Sequence, residues 1–179
     1  AMAAMMCAAL LTGCGGEKKQ ADSGDTIKVG AAFEMTGNVA NYGTTTLEGL
    51  KLAIKEANDA GGINGKKITL VEADNKSDPA EAANAATKLI SDDKVVAIVG
   101  PATSGAVQAE SQVATENKVP IIAPDATSPD ITVENGQVKP FVFRGCFIDP
   151  LQSNTMAAFA ANELKAKTAV IYLDSSTDY

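Results

Sequence analysis

The chain has 179 residues, of which 45% are hydrophobic and 4% aromatic, and its 22 acidic and 15 basic residues give a net charge of −7. This length suffices for one domain with a sizeable core, and an acidic chain without Lys/Arg clusters is a poor nucleic-acid binder. The chain contains no histidine, which excludes imidazole general-base catalysis, Ser-His-Asp triads and His-ligated metals within it.

An uncharged apolar segment occupies residues 1–11. It is shorter than the ~20 residues that span a bilayer, but it fits the apolar region of a secretory signal. Residues 1–13 are therefore predicted to be part of a signal peptide. Residues 14–26 are mostly polar and contain glycine, which predicts a flexible tether.

The sequence Leu11-Thr12-Gly13-Cys14 resembles the bacterial lipoprotein signal, in which the cysteine becomes the first mature residue and is lipidated. That resemblance makes Cys14 the expected lipidation site, and two or more acyl chains give stable membrane anchoring. The alternative is a plain cleavable signal in which the cysteine is incidental.

Beyond residue 26 the sequence alternates between apolar strand patterns and helix patterns. Strands are predicted at 27–33, 66–74, 94–100, 119–124, 141–147 and 168–174, and helices at about 45–60, 79–91, 104–117 and 149–165. This alternation predicts an α/β fold with a doubly wound, mostly parallel sheet. Such sheets bind ligands beyond the carboxyl ends of their strands, near a topological switch point.

The junction after the third predicted strand, residues 100–105, opens a helix. The free N–H groups at a helix start suit an anion, and Thr103 and Ser104 add hydroxyl donors. Neither a P-loop nor a dinucleotide-binding fingerprint is present, which favours a small, singly charged anion such as a carboxylate. The alternative is that Thr103 or Ser104 only caps its own helix.

The next junction, residues 124–130, should lie beside the previous one in a doubly wound sheet. Thr127 and nearby carbonyls could accept hydrogen bonds from an ammonium group. A carboxylate site beside an ammonium site matches the α-carbon end of an amino acid. Alternatively, Asp125 and residues 128–130 only build turns. Tyr42 could supply a flat apolar wall and a hydroxyl, or could simply pack over its loop.

These segments carry a family resemblance. The stretches IKVGAAFEMTGNVANYG, VVAIVGPATSGA, VPIIAPDATSPDIT and AVIYLDSSTDY resemble solute-binding proteins of the branched-chain amino acid ABC transport family, from about Ile27 to Tyr179. The resemblance implies two α/β lobes, joined by a hinge, that close on an amino acid. It makes residues 27–144 an incomplete first lobe and residues 145–179 the start of a truncated second lobe.

The resemblance also implies which residues contact the ligand. Residues 102–104 would meet its carboxylate, residues 125–127 its ammonium group, and Tyr42 would line the pocket. Tyr179 would close over the ligand from the second lobe. Two positions depart from the family pattern: Glu34 stands where proline is frequent, and Asp125 where a small residue is frequent. The implied ligand-binding set is Tyr42, Ala102, Thr103, Ser104, Asp125, Ala126, Thr127 and Tyr179.

The function implied by the resemblance is a non-enzymatic receptor without cofactor or metal. It would capture a free amino acid of the Leu/Ile/Val type and deliver it to an ABC permease. It would be exported and lipid-anchored on the outer face of the bacterial cytoplasmic membrane. Alternatives are a binder of short-chain amides or urea, and an amino-acid sensor domain on the same fold. An enzyme on a doubly wound sheet is a further alternative, but a Gly-rich phosphate motif is absent.

Overall fold

The structure is a computed structural model that describes residues 26–173. The predicted signal peptide, the predicted lipidation site Cys14 and the predicted pocket residue Tyr179 lie outside the described residues. Within residues 26–173, no helix combines the length and apolar character needed to cross a lipid bilayer.

Strands and helices alternate along most of the described chain. A 3-10 turn at Pro129–Ile131 and a short hairpin, neither of which the sequence predicts, interrupt this order. The elements are β1 Ile27–Phe33, α1 Ala40–Asp59, β2 Ile68–Asp74, α2 Pro79–Ser91, β3 Ala97–Val99, α3 Ser104–Asn117, β4 Ile121–Ala123, β5 Val133–Glu134, β6 Gln137–Val138, β7 Val142–Arg144 and α4 Asp149–Asn162.

Five of the strands form one parallel sheet in the order β2-β1-β3-β4-β7. The chain first adds β2 on one side of β1 and then places β3 on the other side, so the topological switch point lies between β1 and β3. The register pairs Val29 with Ala97 across that point, and Ile98 with Ile121 on the next pair of strands. This confirms the predicted doubly wound parallel α/β fold.

Helices cover both faces of the sheet. Successive side chains of a strand point to opposite faces, so Ala32 faces α2 and α3 while Ala31 and Phe33 face α1 and its Leu47. Both faces of the sheet are therefore buried around the switch point, which explains why the sequences of the central strands are almost continuously apolar. The cluster under α2 and α3 contains Ala32, Ala86, Leu89, Ile90, Val95, Ile98, Ala114 and Ile121.

Helix α2 begins as the sequence predicts. Asp78 is the N-cap: its Oδ1 accepts from the amides of Ala80 and Glu81 at 2.8 and 3.0 Å. Pro79 occupies the first helical position, where its missing N–H costs no hydrogen bond. The Asp78–Pro79 pair therefore specifies the N-terminus of α2.

Helix α1 begins at Ala40, earlier than the predicted start near Thr45. Three consecutive threonines look unfavourable for a helix start, but each hydroxyl donates to the carbonyl four residues earlier, at 2.6–3.0 Å. Such back-bonding gives each threonine hydroxyl a partner within the helix, although it contributes little to helix stability. Gly43 is buried in the first turn and lies directly against the backbone of Glu34. That contact depends on the tertiary structure and could not be read from the local pattern.

The predicted strand at 168–174 is wrong for its described part, because residues 168–173 form no strand. An apolar segment becomes a strand only when a neighbouring strand takes its backbone hydrogen bonds and its side chains are covered. Here Val170 and Tyr172 are 96% and 99% exposed. The preceding helix α4 has no buried residue, so within the described chain nothing packs on this segment.

Candidate ligand-binding site

The loops that follow β1, β3 and β4 meet at the carboxyl edge of the sheet. Glu34 of the first loop contacts the second at Ala102, and Ser104 contacts the third at Ser128. The structure thus places the two candidate junctions side by side across the β3–β4 pair, as the sequence predicts. The loops after β1 and β3 flank the switch point, where ligands bind in doubly wound sheets, and the loop after β4 lies beside the loop after β3.

A carboxylate from the chain itself occupies the start of α3. Glu34 is fully buried, and its Oε2 accepts from the Ala102 amide at 3.0 Å. Its Oε1 accepts from the amide and the hydroxyl of Thr103 at 3.1 and 2.6 Å. The anion-binding groups that directly precede this helix are thus occupied by a carboxylate of the chain itself. The amides of Ala102 and Thr103, which the resemblance assigns to a ligand carboxylate, donate to Glu34 in this structure.

The loop before α3 depends on a glycine. The Gly100–Pro101 peptide bond is cis, and Gly100 has a φ of +110°. A Cβ added at Gly100 would lie 2.0 Å from the Ala32 carbonyl oxygen. Only glycine therefore lets the loop cross this close to β1, and the crossing brings Ala102 within reach of Glu34.

Ser104 contacts the loop after β4, which carries Thr127. The Ser104 Oγ accepts from the Ser128 amide at 3.2 Å, which leaves its own O–H proton available to another acceptor. Thr127 is 4% exposed, and its Oγ1 has no hydrogen-bond partner among the described residues. Buried hydroxyls without a partner are uncommon and unfavourable. Thr127 therefore marks a position where a polar group of a ligand would be stabilising.

Asp125 is tied to helix α1. The Thr46 hydroxyl lies 2.6 Å from Asp125 Oδ2 and 3.0 Å from the carbonyl of Tyr42. This contact joins the first turns of α1 to the loop after β4. An ionised carboxylate has about four lone-pair sites, so Asp125 can accept further hydrogen bonds while Thr46 holds it.

Tyr42 lies in the first turn of α1 rather than in a loop. Its side chain is 51% exposed. Its carbonyl shares the Thr46 hydroxyl with Asp125. Through Thr46, the turn of α1 that carries Tyr42 contacts the loop after β4.

Arg144 supports the loop after β4 from behind. Its Nη1 donates to the carbonyls of Ser128 and Ala126 at 2.6 and 3.4 Å, and its Nη2 to the Thr132 hydroxyl at 3.0 Å. The guanidinium donors are thus directed at loop carbonyls and a hydroxyl. Arg144 orders the segment that carries Thr127.

Asp74 holds the loop after β1 and so fixes the direction of Glu34. Its Oδ1 accepts from the amides of Met35, Thr36 and Lys76 at 3.0, 3.2 and 2.8 Å, and its Oδ2 from the Thr36 hydroxyl at 2.7 Å. Burial by itself raises the pKa of Asp74, but these hydrogen bonds outweigh it and bring the pKa below its usual value.

A second buried carboxyl, Glu110, lies further along α3. It is fully buried, and neither carboxyl oxygen has a partner among the described residues. Burial, and to a lesser extent the nearby charge of Glu34, raise the pKa of Glu110 well above its usual value. Burial thus disfavours the ionised form of Glu110 relative to an exposed carboxyl.

Sequence reasoning missed three contributors to this site: Glu34 as an occupant of the helix start, Thr46 as a partner of Asp125, and Glu110. Glu34 did carry a signal, because it is a charged residue directly after a buried strand at the switch point. Thr46 and Glu110 lie within helices whose periodicity gave no reason to separate them from their neighbours.

A family model described as periplasmic binding protein matches residues 26–178. Among curated relatives, the Leu/Ile/Val-binding protein BraC3 of Rhizobium johnstonii is 36% identical over 148 residues, which are 83% of this chain and 39% of that protein. The chain therefore spans about two fifths of the length of such relatives.

Solved structures give the same result. The branched-chain amino acid transporter substrate-binding protein LivJ from Streptococcus pneumoniae, in complex with isoleucine, matches with a TM-score of 0.81 and 45% identity over 87% of this chain and 43% of that one. An ABC-transporter solute-binding protein from Rhodopseudomonas palustris BisB5, in complex with 3,4-dihydroxybenzoic acid, matches with a TM-score of 0.69 and 34% identity over 76% of this chain and 36% of that one.

Proposed function

Because the chain belongs to the periplasmic binding protein family, we propose that it forms the first lobe of an extracytoplasmic receptor that captures a free branched-chain amino acid for an ABC transporter. The observation that carries the proposal is the Thr127 hydroxyl, which is buried and has no hydrogen-bond partner among the described residues, in the loop that Ser104 contacts. The names of the Rhizobium and Streptococcus relatives, which bind Leu, Ile or Val, support the choice of ligand.

The amino acid would bind through its zwitterionic end. Its carboxylate would accept from the hydroxyls of Ser104 and Thr127 and from the Ser104 amide, which a first helical residue does not use within its helix. Its ammonium group would donate to the segment 125–127, including the carboxylate of Asp125. Each charge-assisted hydrogen bond of this kind contributes about 1.5–3 kcal/mol.

The remaining predicted site residues take supporting positions. Tyr42 would form a wall at the mouth, and Ala126 would line the base of the loop. Ala102 and Thr103, whose amides donate to Glu34, would shape the turn that presents Ser104. Tyr179 would approach from a second lobe that begins near residue 145 and would close over the ligand.

The cellular setting follows from the leader. With Cys14 lipidated and residues 15–26 as a tether, the receptor would be held at the outer face of the cytoplasmic membrane. Closure around the ligand would shift an open–closed equilibrium, and the permease subunits would recognise the closed form. In this proposal the protein is a binder, as its family is, and it performs no chemistry.

Calorimetric titration of the full-length protein tests the proposal. Leu, Ile and Val are expected to bind with a Kd of about 1 μM or below, equivalent to about −8 kcal/mol, and Ala more weakly because it buries less apolar surface. Acetamide and urea serve as comparison ligands. Binding of these amides without binding of any amino acid would contradict the proposal and favour the amide-binding alternative.

A further inference from the structure

We propose that Glu34 sets the charge class of the ligand: it makes the site select net-neutral zwitterions over carboxylic acids that lack an ammonium group. This inference rests on the proposed function, since it assumes that the site is the one formed by Ser104 and Thr127. It adds a specificity-determining role for a residue that need not touch the ligand.

The family fold does not by itself decide the charge class. The Streptococcus relative was solved with isoleucine and the Rhodopseudomonas relative with 3,4-dihydroxybenzoic acid, a carboxylic acid without an ammonium group. Discrimination between the two classes must therefore come from side chains at the site. In this chain Glu34 is the charged group placed on the helix start itself.

Glu34 occupies part of the anion site at the start of α3, namely the two amides just before the helix. Without it, the amides of Ala102 and Thr103 would point at the ligand together with the positive end of the helix dipole. With it, those two amides and the Thr103 hydroxyl are occupied, at 2.6–3.1 Å, by a fully buried carboxylate. A ligand carboxylate can then accept hydrogen bonds only from Ser104 and Thr127, and it lies next to the carboxylate of Glu34.

The other charges around the loops do not cancel this effect. Asp125 adds a second carboxylate, held by Thr46 at 2.6 Å. Arg144 lies behind the loop after β4 and directs its donors at Ala126, Ser128 and Thr132. The field of Glu34 also reaches the second turn of α3, where it contributes to the raised pKa of Glu110.

The energetic consequence differs for the two ligand classes. A simple carboxylic acid brings one negative charge into a site flanked by Glu34 and Asp125, where poor solvation strengthens the repulsion. A zwitterion brings the same carboxylate together with an ammonium group that these carboxylates attract. Glu34 therefore lowers the affinity for anions far more than it lowers the affinity for amino acids.

The test compares leucine with 4-methyl-2-oxopentanoate, which has the same carbon skeleton but a ketone in place of the ammonium group. Glu34→Gln in the full-length protein keeps the side-chain length and one acceptor oxygen while removing the charge. We expect the ratio of the two dissociation constants, oxo acid over leucine, to fall at least tenfold, mainly through tighter binding of the oxo acid. The control is Glu72→Gln, which removes an exposed carboxylate of β2 that pairs with Lys51 at 3.2 Å. This substitution should leave the ratio of the two dissociation constants unchanged.

A second variant keeps the question answerable if Glu34→Gln fails to fold. Thr103→Val retains the Glu34 charge but removes the hydroxyl that partly neutralises it at 2.6 Å, so the ratio is expected to rise several-fold. A direct contact of the Thr103 hydroxyl with the ligand carboxylate would instead weaken both ligands equally.

The outcomes separate this inference from the proposed function. If Glu34→Gln still binds leucine and the ratio of the two dissociation constants is unchanged, the role of Glu34 is overturned and the proposed function stands. If only Thr103→Val folds, the same result in that variant has the same meaning. Failure of the unmodified protein to bind any amino acid would reject the proposed function itself.

Discussion

Replacing Thr127 with valine is expected to weaken leucine binding about ten- to a hundredfold while leaving the free protein as stable as before, or slightly more stable. The binding loss corresponds to one charge-assisted hydrogen bond of about 1.5–3 kcal/mol. Stability is retained because valine has nearly the same shape and removes a buried hydroxyl that has no partner in the structure. Calorimetric titration and thermal unfolding of the full-length protein measure the two quantities.

Ser104→Ala should weaken leucine binding to a similar extent, but with a different effect on stability. The Ser104 Oγ also accepts from the Ser128 amide at 3.2 Å, so its removal should cost about 1 kcal/mol of folding free energy. Thr87→Val on the exposed side of α2, where the hydroxyl only bonds the Ala83 carbonyl, is the matched control and should not alter binding. Unchanged leucine affinity in both site variants would show that these hydroxyls do not hold the ligand.

Two glycine-to-alanine substitutions in the same helix are expected to change stability in opposite directions. A Cβ at Gly43 would lie 2.3 Å from the carbonyl oxygen and 2.6 Å from the amide nitrogen of Glu34, whereas a Cβ at Gly49 would meet no atom within 4 Å. Gly43→Ala should therefore destabilise by about 1–3 kcal/mol or more, as overpacking does. Gly49→Ala should stabilise by about 0.5–1 kcal/mol through helix propensity.

Urea unfolding of the full-length protein gives both free energies. Gly43→Ala should also weaken leucine binding, because the backbone it displaces carries the carboxylate that shapes the start of α3. Gly49→Ala should bind leucine normally. Equal effects of the two substitutions would mean that α1 does not pack on Glu34 as the structure places it.

Elements with strong local signals were predictable from the sequence. Strand β1 matches the predicted range because a largely apolar run, interrupted only by Lys28 near its start, fits a buried parallel strand. Helix α2 matches because the Asp78–Pro79 pair specifies its first turn. The predicted start of α1 was wrong because that turn is stabilised by packing of Gly43 on Glu34. Residues 168–173 form no strand because a strand requires a partner, which a local pattern cannot supply.

The location of the site could be predicted further than its chemistry. Parallel topology places the loops after β3 and β4 together, so the proximity of Ser104 and Thr127 followed from the order of elements. The direction of the Glu34 side chain did not follow, because it depends on Asp74 holding the preceding loop and on Gly100 letting the next loop approach. The sequence therefore could not show that a carboxylate of the chain itself occupies the two amides just before α3.

A crystal structure of the full-length protein with leucine bound addresses the central claim most directly. We expect the leucine carboxylate within hydrogen-bond distance of the Ser104 and Thr127 hydroxyls, its ammonium group at the 125–127 segment, and Glu34 still on the amides of Ala102 and Thr103. A leucine carboxylate that replaces Glu34 on those amides, or a ligand lodged away from the three loops, would contradict this account.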